Sequence, residues 1–263
     1  GEVELLDLLE VGQGEGASTL LDLSPRDRIG GTITSFEGGV LLVGGRDSAG
    51  TAVAEVEWLQ PLEASAGNQL QVVSSDGIDD HQAVALEDGS VLVAGGVDGA
   101  GSISASARLY SLVAGELAER SLGASMISAR HRHRLTRLGN EVGADVLVCG
   151  GLGEDGLPVP ECELYRPLKG AFEALEGAVL QVPRFDHQAL RLPGGFVLIV
   201  GGRTVGSPGG EPSPVRELEL FDPVQGRFDV VGTMPSGAGV TELSATELPD
   251  GRLMLAGGRD IDG

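Results

Sequence analysis

The side chains best suited to chemistry in this sequence are its four histidines, His81, His131, His133 and His187. All except His131 stand five residues before a leucine, namely Leu86, Leu138 and Leu192. Imidazole is a common metal ligand, so three equivalent histidines near one axis could bind a metal. Their equal spacing favours a structural role that recurs with a repeated unit instead. We therefore predict no metal site and no cofactor.

Arginines and aspartates in predicted loops form a second set of candidates. Arginine follows a glycine pair at three places, and a guanidinium fork there could bind a carboxylate or another anion. The alternative is a salt bridge with a nearby aspartate, which the sequence Gly-Gly-Arg-Asp at 44–47 and 257–260 favours. The candidate binding residues are Arg46, Asp47, Asp98, Asp155, Arg203, Arg259 and Asp260.

Neighbouring carboxylates, such as Asp79 and Asp80, could support acid–base hydrolysis or bind calcium. The chain has 39 acidic residues, so pairs of this kind also arise by chance on a solvated surface. No calcium-loop spacing is present. We expect no catalytic residue.

Two cysteines, Cys149 and Cys162, are too few for a disulfide framework or for an all-cysteine zinc site. They flank one predicted hairpin loop, so a disulfide is within reach. A small buried thiol at Cys149 fits equally well, because other copies of the repeat have alanine or valine there.

A repeat positions all of these residues. An apolar run ending in two glycines occurs five times, and the first glycines are Gly44, Gly95, Gly150, Gly201 and Gly257. The intervals of 51, 55, 51 and 56 residues between them fit a four-stranded propeller blade. We predict an all-β fold that is a single β-propeller of five blades, at 31–73, 81–121, 133–178, 187–231, and 243–263 together with 1–23.

Within each unit the pattern predicts four strands. An alternating segment, a glycine turn and the apolar run form a hairpin, and two further strands follow a polar loop. The apolar second strand has no polar face, so it must be covered on both sides. Neighbouring blades of a propeller supply that cover.

The segments 126–133 and 245–252 resemble repeats of the kelch family, in particular its bacterial branch related to the propeller of galactose oxidase. The resemblance covers essentially the whole chain, although phenylalanine (Phe172, Phe228) or a smaller residue replaces the family's fourth-strand tryptophan. Copper oxidation in that branch implies a tyrosine crosslinked to cysteine. Tyr110 and Tyr165 both occupy regular third-strand positions, so we do not expect that chemistry.

The two ends of the chain predict how the ring closes. Residues 2–8 match the third strand at 217–223, residues 18–23 supply a fourth strand, and the C-terminal end supplies a first and a second strand. We expect residues 3–6 to pair beside 253–256 and so complete the fifth blade. The rival is a fragment of a six- or seven-bladed ring.

The composition limits the partners. A formal net charge of −21 repels phosphate backbones and anionic membranes, so we expect no nucleic-acid binding and no membrane insertion. We predict a non-catalytic binding or scaffold module that recognises a basic or neutral protein or glycan through loops on one face. The alternatives are the propeller domain of a larger carbohydrate-active enzyme (lyase, isomerase or oxidase) and a structural spacer in a surface assembly. We expect an extracellular, periplasmic or cell-surface location.

Overall fold

The computed structural model describes residues 3–6, 18–21, 27–60, 69–235, 241–248 and 252–259. These residues form an all-β structure. Apart from the strands, they contain one short 3-10 turn at Pro193–Gly195. None of them belongs to a helix that could cross a membrane.

Four antiparallel four-stranded sheets make up most of the described structure. Sheet 1 contains β3 (Thr32–Phe36), β4 (Gly39–Val43), β5 (Glu55–Gln60) and β6 (Gln69–Ser74). Sheet 2 contains β8 (Gln82–Ala85), β9 (Val91–Ala94), β11 (Ala107–Val113) and β12 (Glu116–Ser121). Sheet 3 contains β13 (Arg134–Arg137), β14 (Val146–Cys149), β15 (Glu161–Arg166) and β16 (Ala171–Val179). Sheet 4 contains β17 (Gln188–Arg191), β18 (Val197–Val200), β21 (Glu217–Asp222) and β22 (Arg227–Thr233).

The remaining strands form shorter pairs. At the two ends of the chain, β1 (Val3–Leu6) pairs with β2 (Ser18–Leu21), and β23 (Thr241–Glu247) pairs with β24 (Leu253–Arg259). Two-residue pairs join β7 (Ile78–Asp79) to β10 (Val97–Asp98) and β19 (Arg203–Thr204) to β20 (Ser213–Pro214).

The sheets pack against one another in chain order. Their first strands, here called the inner strands, contact in the succession β3, β8, β13, β17 and then β23. The outer strands β6 and β12 also touch, as do β16 and β22. Each sheet of four strands in simple up-and-down order therefore stands beside the next, which is a propeller-like arrangement.

The apolar second strands are covered on both faces, as their sequence predicts. In β9, Val91 and Val93 belong to a core cluster shared with sheet 1, whereas Leu92 and Ala94 belong to a cluster shared with sheet 3. All four side chains are at most 3% exposed. Alternation along one strand thus supplies two separate hydrophobic interfaces.

The glycine pair that ends each second strand allows close contact with the following sheet. Gly95 has φ +68°, and a Cβ there would lie 2.5 Å from both the Arg130 carbonyl oxygen and the His133 Cε1 atom. A side chain at this position would be strained by its dihedral angle and would also overlap its neighbours.

In three of the sheets, a buried ion pair holds the loop that leads into the first strand. In sheet 3, Arg130 donates to the Gly150 and Glu161 carbonyl oxygens and, at 3.0 Å, to the Glu163 carboxylate. Arg184 and Glu219 in sheet 4 and Arg28 and Glu57 in sheet 1 repeat this pair. Sheet 2 lacks this pair: Ile78 stands at the arginine position, and Arg108 stands at the glutamate position and pairs with Asp76 and Glu119 instead.

Cys149 and Cys162 form a disulfide between the adjacent strands β14 and β15. Both are at most 2% exposed and belong to the core cluster between sheets 3 and 4. Of the two alternatives for Cys149, a disulfide or a buried free thiol, the structure therefore contains the disulfide.

The predicted pairing of β1 with residues 253–256 is not formed. Within the described residues, β1 pairs only with β2, and β24 pairs only with β23. Met254 and Leu255 on β24 are 51% and 39% exposed, because no third strand or further sheet of the described structure lies against them.

Candidate functional site

The loops that lead into the inner strands carry three charged residues in an unusual backbone conformation. Asp80, Arg132 and Asp186 have φ values of 52°, 57° and 55°, and each immediately precedes a repeat histidine. Gly30 holds the equivalent position in sheet 1 with φ 78°. A left-handed conformation at a non-glycine residue costs about 1–3 kcal/mol and concentrates at functional sites. The position is therefore a candidate site.

Main-chain hydrogen bonds place these three residues side by side. The Arg132 N–H donates to the Asp80 carbonyl oxygen at 2.9 Å, and the Asp186 N–H donates to the Arg132 carbonyl oxygen at 3.2 Å. Each bond joins one sheet to the next. The charged side chains consequently stand on a backbone that three sheets hold in place.

Arg132 is the centre of the charge network. Its Nε donates to Asp186 Oδ1 at 2.7 Å, and its second guanidinium nitrogen also donates to the same carboxylate. The guanidinium carbon lies 4.9 Å from the centroid of the Phe185 ring, which is a cation–π geometry. The side chain is about one-third exposed, so its outer edge is accessible.

Two further pairs of charged or polar side chains lie around Arg132. His131 Nδ1 lies 3.3 Å from Asp80 Oδ2, and Arg46 Nε donates to Asp79 Oδ2 at 2.6 Å. The hydrogen bond with His131 lowers the pKa of Asp80, partial burial opposes this, and the charges of Arg132, His131 and Arg46 lower the pKa further. Asp80 is therefore a carboxylate at neutral pH. We call Arg46, Asp79, Asp80, His131, Arg132 and Asp186 the mouth cluster.

A cavity of about 340 Å³ adjoins the mouth cluster among the inner strands. Its lining includes Thr32, His81, Gln82, His133 and Arg134. Arg134 connects sheets 2, 3 and 4, because its guanidinium donates to Gln82 Oε1 at 3.0 Å and to the His187 carbonyl oxygen at 2.7 Å. The volume is at the small end of the range for small-molecule sites.

The three repeat histidines are packed between sheets and are at most 1% exposed. His81 Nε2 lies 2.8 Å from Thr32 Oγ1, whereas neither ring nitrogen of His133 or His187 has a hydrogen-bond partner in the described part of the chain. Burial lowers the pKa of His81 to about 4 and the pKa values of His133 and His187 well below their usual range. All three are thus neutral at pH 7.

This geometry gives the histidines a packing role. A Cβ on Gly44, Gly95 or Gly150 would come within 2.6 Å of the Cε1 atom of the histidine in the next sheet. Among the residues that the structure describes, no group of three or more His, Cys, Asp or Glu side chains is arranged to hold a metal ion.

The predicted binding residues divide between the mouth cluster and the loops. Arg46 belongs to the cluster, and Arg203 Nε lies 3.9 Å from Asp186 Oδ2 beside it. Asp47 and Asp98 accept main-chain N–H bonds from their own loops, for example from Thr51 at 3.0 Å and Ser102 at 2.8 Å. These two carboxylates therefore shape turns.

The other three predicted residues are Asp155, Arg259 and Asp260. Asp155 accepts the Leu157 N–H at 3.0 Å in the loop after β14. Arg259 is exposed at the end of β24, and Asp260 lies outside the described residues. Sequence reasoning did not identify Arg132 and Asp186 as site residues, although their position directly before a repeat histidine is a usable signal.

The fold and these loops define the class of protein: the chain has a β-propeller-type fold. Among solved structures that match it, one titled "Structure of YjhT" aligns with a TM-score of 0.67 at 12% identity. That alignment covers 91% of this chain and 83% of the other. No protein-family model and no curated protein matches the chain. At this identity the likeness concerns the fold alone.

Proposed function

We propose that this chain is a non-catalytic binding module that recognises a protein or glycan through one end of its sheets. That end, here called the loop face, carries the loops between second and third strands and the loops between one sheet and the next. The mouth cluster lies at its centre. The observation that carries the proposal is the row of Asp80, Arg132 and Asp186, held in left-handed backbone conformations by bonds across three sheets.

The electrostatics of the cluster favour recognition over acid–base catalysis. The carboxylates of Asp79, Asp80 and Asp186 each have a basic partner, and the pKa of Asp80 is lowered. A general acid at neutral pH requires a raised pKa. A rigid set of donors and acceptors of both signs instead suits a polar ligand whose hydrogen bonds must be oriented.

We also propose that the fold is a kelch-type ring of five blades, closed by the N-terminal hairpin. The support is the repeat itself and the state of β24, whose apolar residues Met254 and Leu255 are exposed. Every other second strand has a third strand beside it. The match of residues 2–7 to the third strand Glu217–Asp222 makes β1 and β2 suited to this place. Closure would enclose the mouth cluster.

The partner and the location follow from charge and from the disulfide. With a net charge of −21, the surface favours basic or neutral partners and disfavours nucleic acid and membranes. The Cys149–Cys162 disulfide supports an extracellular, periplasmic or cell-surface location, because disulfides persist in oxidising compartments.

The substitution Arg132→Ala tests the binding face. Wild-type protein, Arg132→Ala and a control, Lys169→Ala, are each applied to an array of neutral glycans and to a panel of basic peptides. Lys169 is exposed at the opposite end of sheet 3, in the turn between β15 and β16. Loss of a buried or half-buried charged anchor costs roughly 2 kcal/mol or more, so we expect Arg132→Ala to bind at least ~10-fold more weakly than wild type. The control Lys169→Ala should bind as tightly as wild type.

The melting temperature of each variant is measured alongside. The proposal is wrong if the wild type binds no probe in either set, or if Arg132→Ala binds as tightly as wild type.

A further inference from the structure

Two clefts on the loop face occupy equivalent positions in the repeat. The first, between sheets 1 and 2, has a volume of about 610 Å³, and the second, between sheets 2 and 3, has about 690 Å³. In each, the loop entering a sheet forms one wall and the loop after that sheet's second strand forms the other. We call them the first cleft and the second cleft.

The second cleft has an apolar wall. Ile127 is 59% exposed there, and Met126 behind it is buried. Leu157, Val159 and Pro160, all half-buried, face it from the opposite loop. An exposed isoleucine at the edge of such a concave surface is a suitable contact for an aliphatic side chain of a partner.

Acidic side chains surround this apolar surface. Glu154, Asp155 and Glu161 line the second cleft and are exposed. Within the described ranges, none of the three forms an ion pair with an arginine or lysine, and the nearby Arg130 is committed to Glu163. A cation from outside could therefore bind here without breaking an ion pair.

The first cleft differs from the second both in its apolar surface and in its carboxylates. Its lining is mostly small or polar, with Ser75, Ser104 and Ser106 among its residues. Its exposed carboxylate, Asp76, already pairs with Arg108 at 2.8 Å, and its half-buried carboxylate, Asp98, accepts N–H bonds from its own loop. The repeat supplies the concave shape twice, but of these two clefts only the second combines apolar surface with exposed carboxylates that form no ion pair within the described residues.

The second cleft is also held rigidly. The Ile127 and Ser128 N–H groups donate to the Glu163 carboxylate at 2.7 and 3.4 Å, and Arg130 fixes that carboxylate from the other side. Because this surface is preformed, binding requires little ordering of its loops and side chains, and the associated free-energy cost is small.

We infer that the second cleft binds a peptide segment of a partner protein that carries an arginine or lysine beside aliphatic residues. The aliphatic side chains contact Ile127, Leu157 and Val159, and the cation lies among Glu154, Asp155 and Glu161. This inference rests on the proposed binding function of the loop face and specifies one kind of partner for it.

The test uses an array of capped nine-residue peptides with a central arginine or lysine flanked by leucine, valine and proline. A matched array has glutamate at the centre. The tightest peptide is then titrated by fluorescence polarisation against wild type, Ile127→Ser, the double variant Glu154→Gln/Glu161→Gln, and Asp76→Asn as the control in the first cleft. All of these side chains are exposed, so folding should be retained.

We expect binding of the basic array only. Each second-cleft variant should weaken the titrated peptide about 10-fold, the charge variant mostly at low salt, whereas Asp76→Asn should leave it unchanged. The inference is overturned if no basic peptide binds, if the glutamate peptides bind equally well, or if the second-cleft variants bind like wild type. Peptide binding that Arg132→Ala abolishes and the second-cleft variants retain would reject this cleft while supporting the loop-face proposal.

Discussion

Sheet 3 and the C-terminal hairpin contain the same glycine pair in different surroundings. Gly150 and Gly257 have φ +64° and +70°, so both adopt the left-handed conformation. A Cβ on Gly150 would meet the Arg184 carbonyl oxygen at 2.5 Å and the His187 ring at 2.6 Å, whereas a Cβ on Gly257 would meet no atom of the described residues within 4 Å. The motif therefore has two separable requirements, a backbone conformation and a close neighbour, and the hairpin meets only the first.

The strands before these glycines differ in the same way. All residues of β14 are at most 1% exposed, whereas β24 is exposed over Met254–Arg259 apart from its edge contact with β23. The difference shows that the buried state of an apolar second strand depends on a sheet on each side.

The largest effect that we predict is the loss of stability caused by Gly150→Ala, and the size of the Gly257→Ala effect shows whether the ring is closed in solution. Overpacking costs typically 1–3 kcal/mol and a left-handed alanine about 1–2, so Gly150→Ala should lower the free energy of unfolding by about 4 kcal/mol. Gly257→Ala should lower it by a similar amount if a neighbouring segment covers the hairpin, as the proposed ring closure requires, and by only about 1.5 kcal/mol if the hairpin remains uncovered. Urea unfolding of both variants measures the two costs.

Because we propose a closed ring, we expect similar costs at the two glycines. A Gly257→Ala variant that loses only about 1.5 kcal/mol would contradict ring closure by the N-terminal hairpin.

Much of the fold can be predicted from the sequence, because the repeat determines it. The apolar pattern of β9 requires cover on both faces, and the seven-residue interval from Phe221 to Phe228 places these rings opposite each other, 5.1 Å apart. Trp58 does not follow the third-strand aromatic pattern, because Leu59 takes the equivalent register position opposite Val40. The alternation of apolar and polar residues predicts which side chains share a face of the strand. A register shift of one residue becomes visible only from the pairing between neighbouring strands.

The second prediction concerns pH, since a buried histidine lies against the first glycine of sheets 1, 2 and 3. Burial lowers the pKa of His81 to about 4, so between pH 6.5 and 4 the unfolded chain binds more protons than the folded chain. Stability is therefore retained near neutrality and is lost as the pH falls through this range. His81 alone accounts for about 3 kcal/mol, and thermal unfolding between pH 7 and pH 4 measures the slope.

The hairpin supplies the control, because Leu243 occupies the histidine position there, five residues before Leu248. The substitution His187→Leu places the same residue in sheet 4 and removes one buried histidine, so the stability of this variant should fall less steeply between pH 7 and pH 4. An unchanged slope would show that the loss of stability comes from other groups.

The candidate site was less predictable than the fold. Arg46 and Arg203 could be proposed from their place after a glycine pair, and both lie at or beside the mouth cluster. Asp98 was predicted together with them and accepts N–H bonds from its own turn, and a loop carboxylate of this kind has the same sequence signature as a ligand-binding one. The role of Arg132 depends on contacts with a neighbouring sheet, which spacing does not reveal.

Hydrogen exchange at β24 tests the closed ring most directly. If β1 pairs with β24 in solution, consecutive amides of residues 253–256 should all exchange slowly, at rates like those of Val197–Val200 in β18. If the pairing is absent, alternate amides that point away from β23 should exchange rapidly, as at any open sheet edge. Slow exchange throughout is the result that our account predicts, and fast alternate exchange would contradict it.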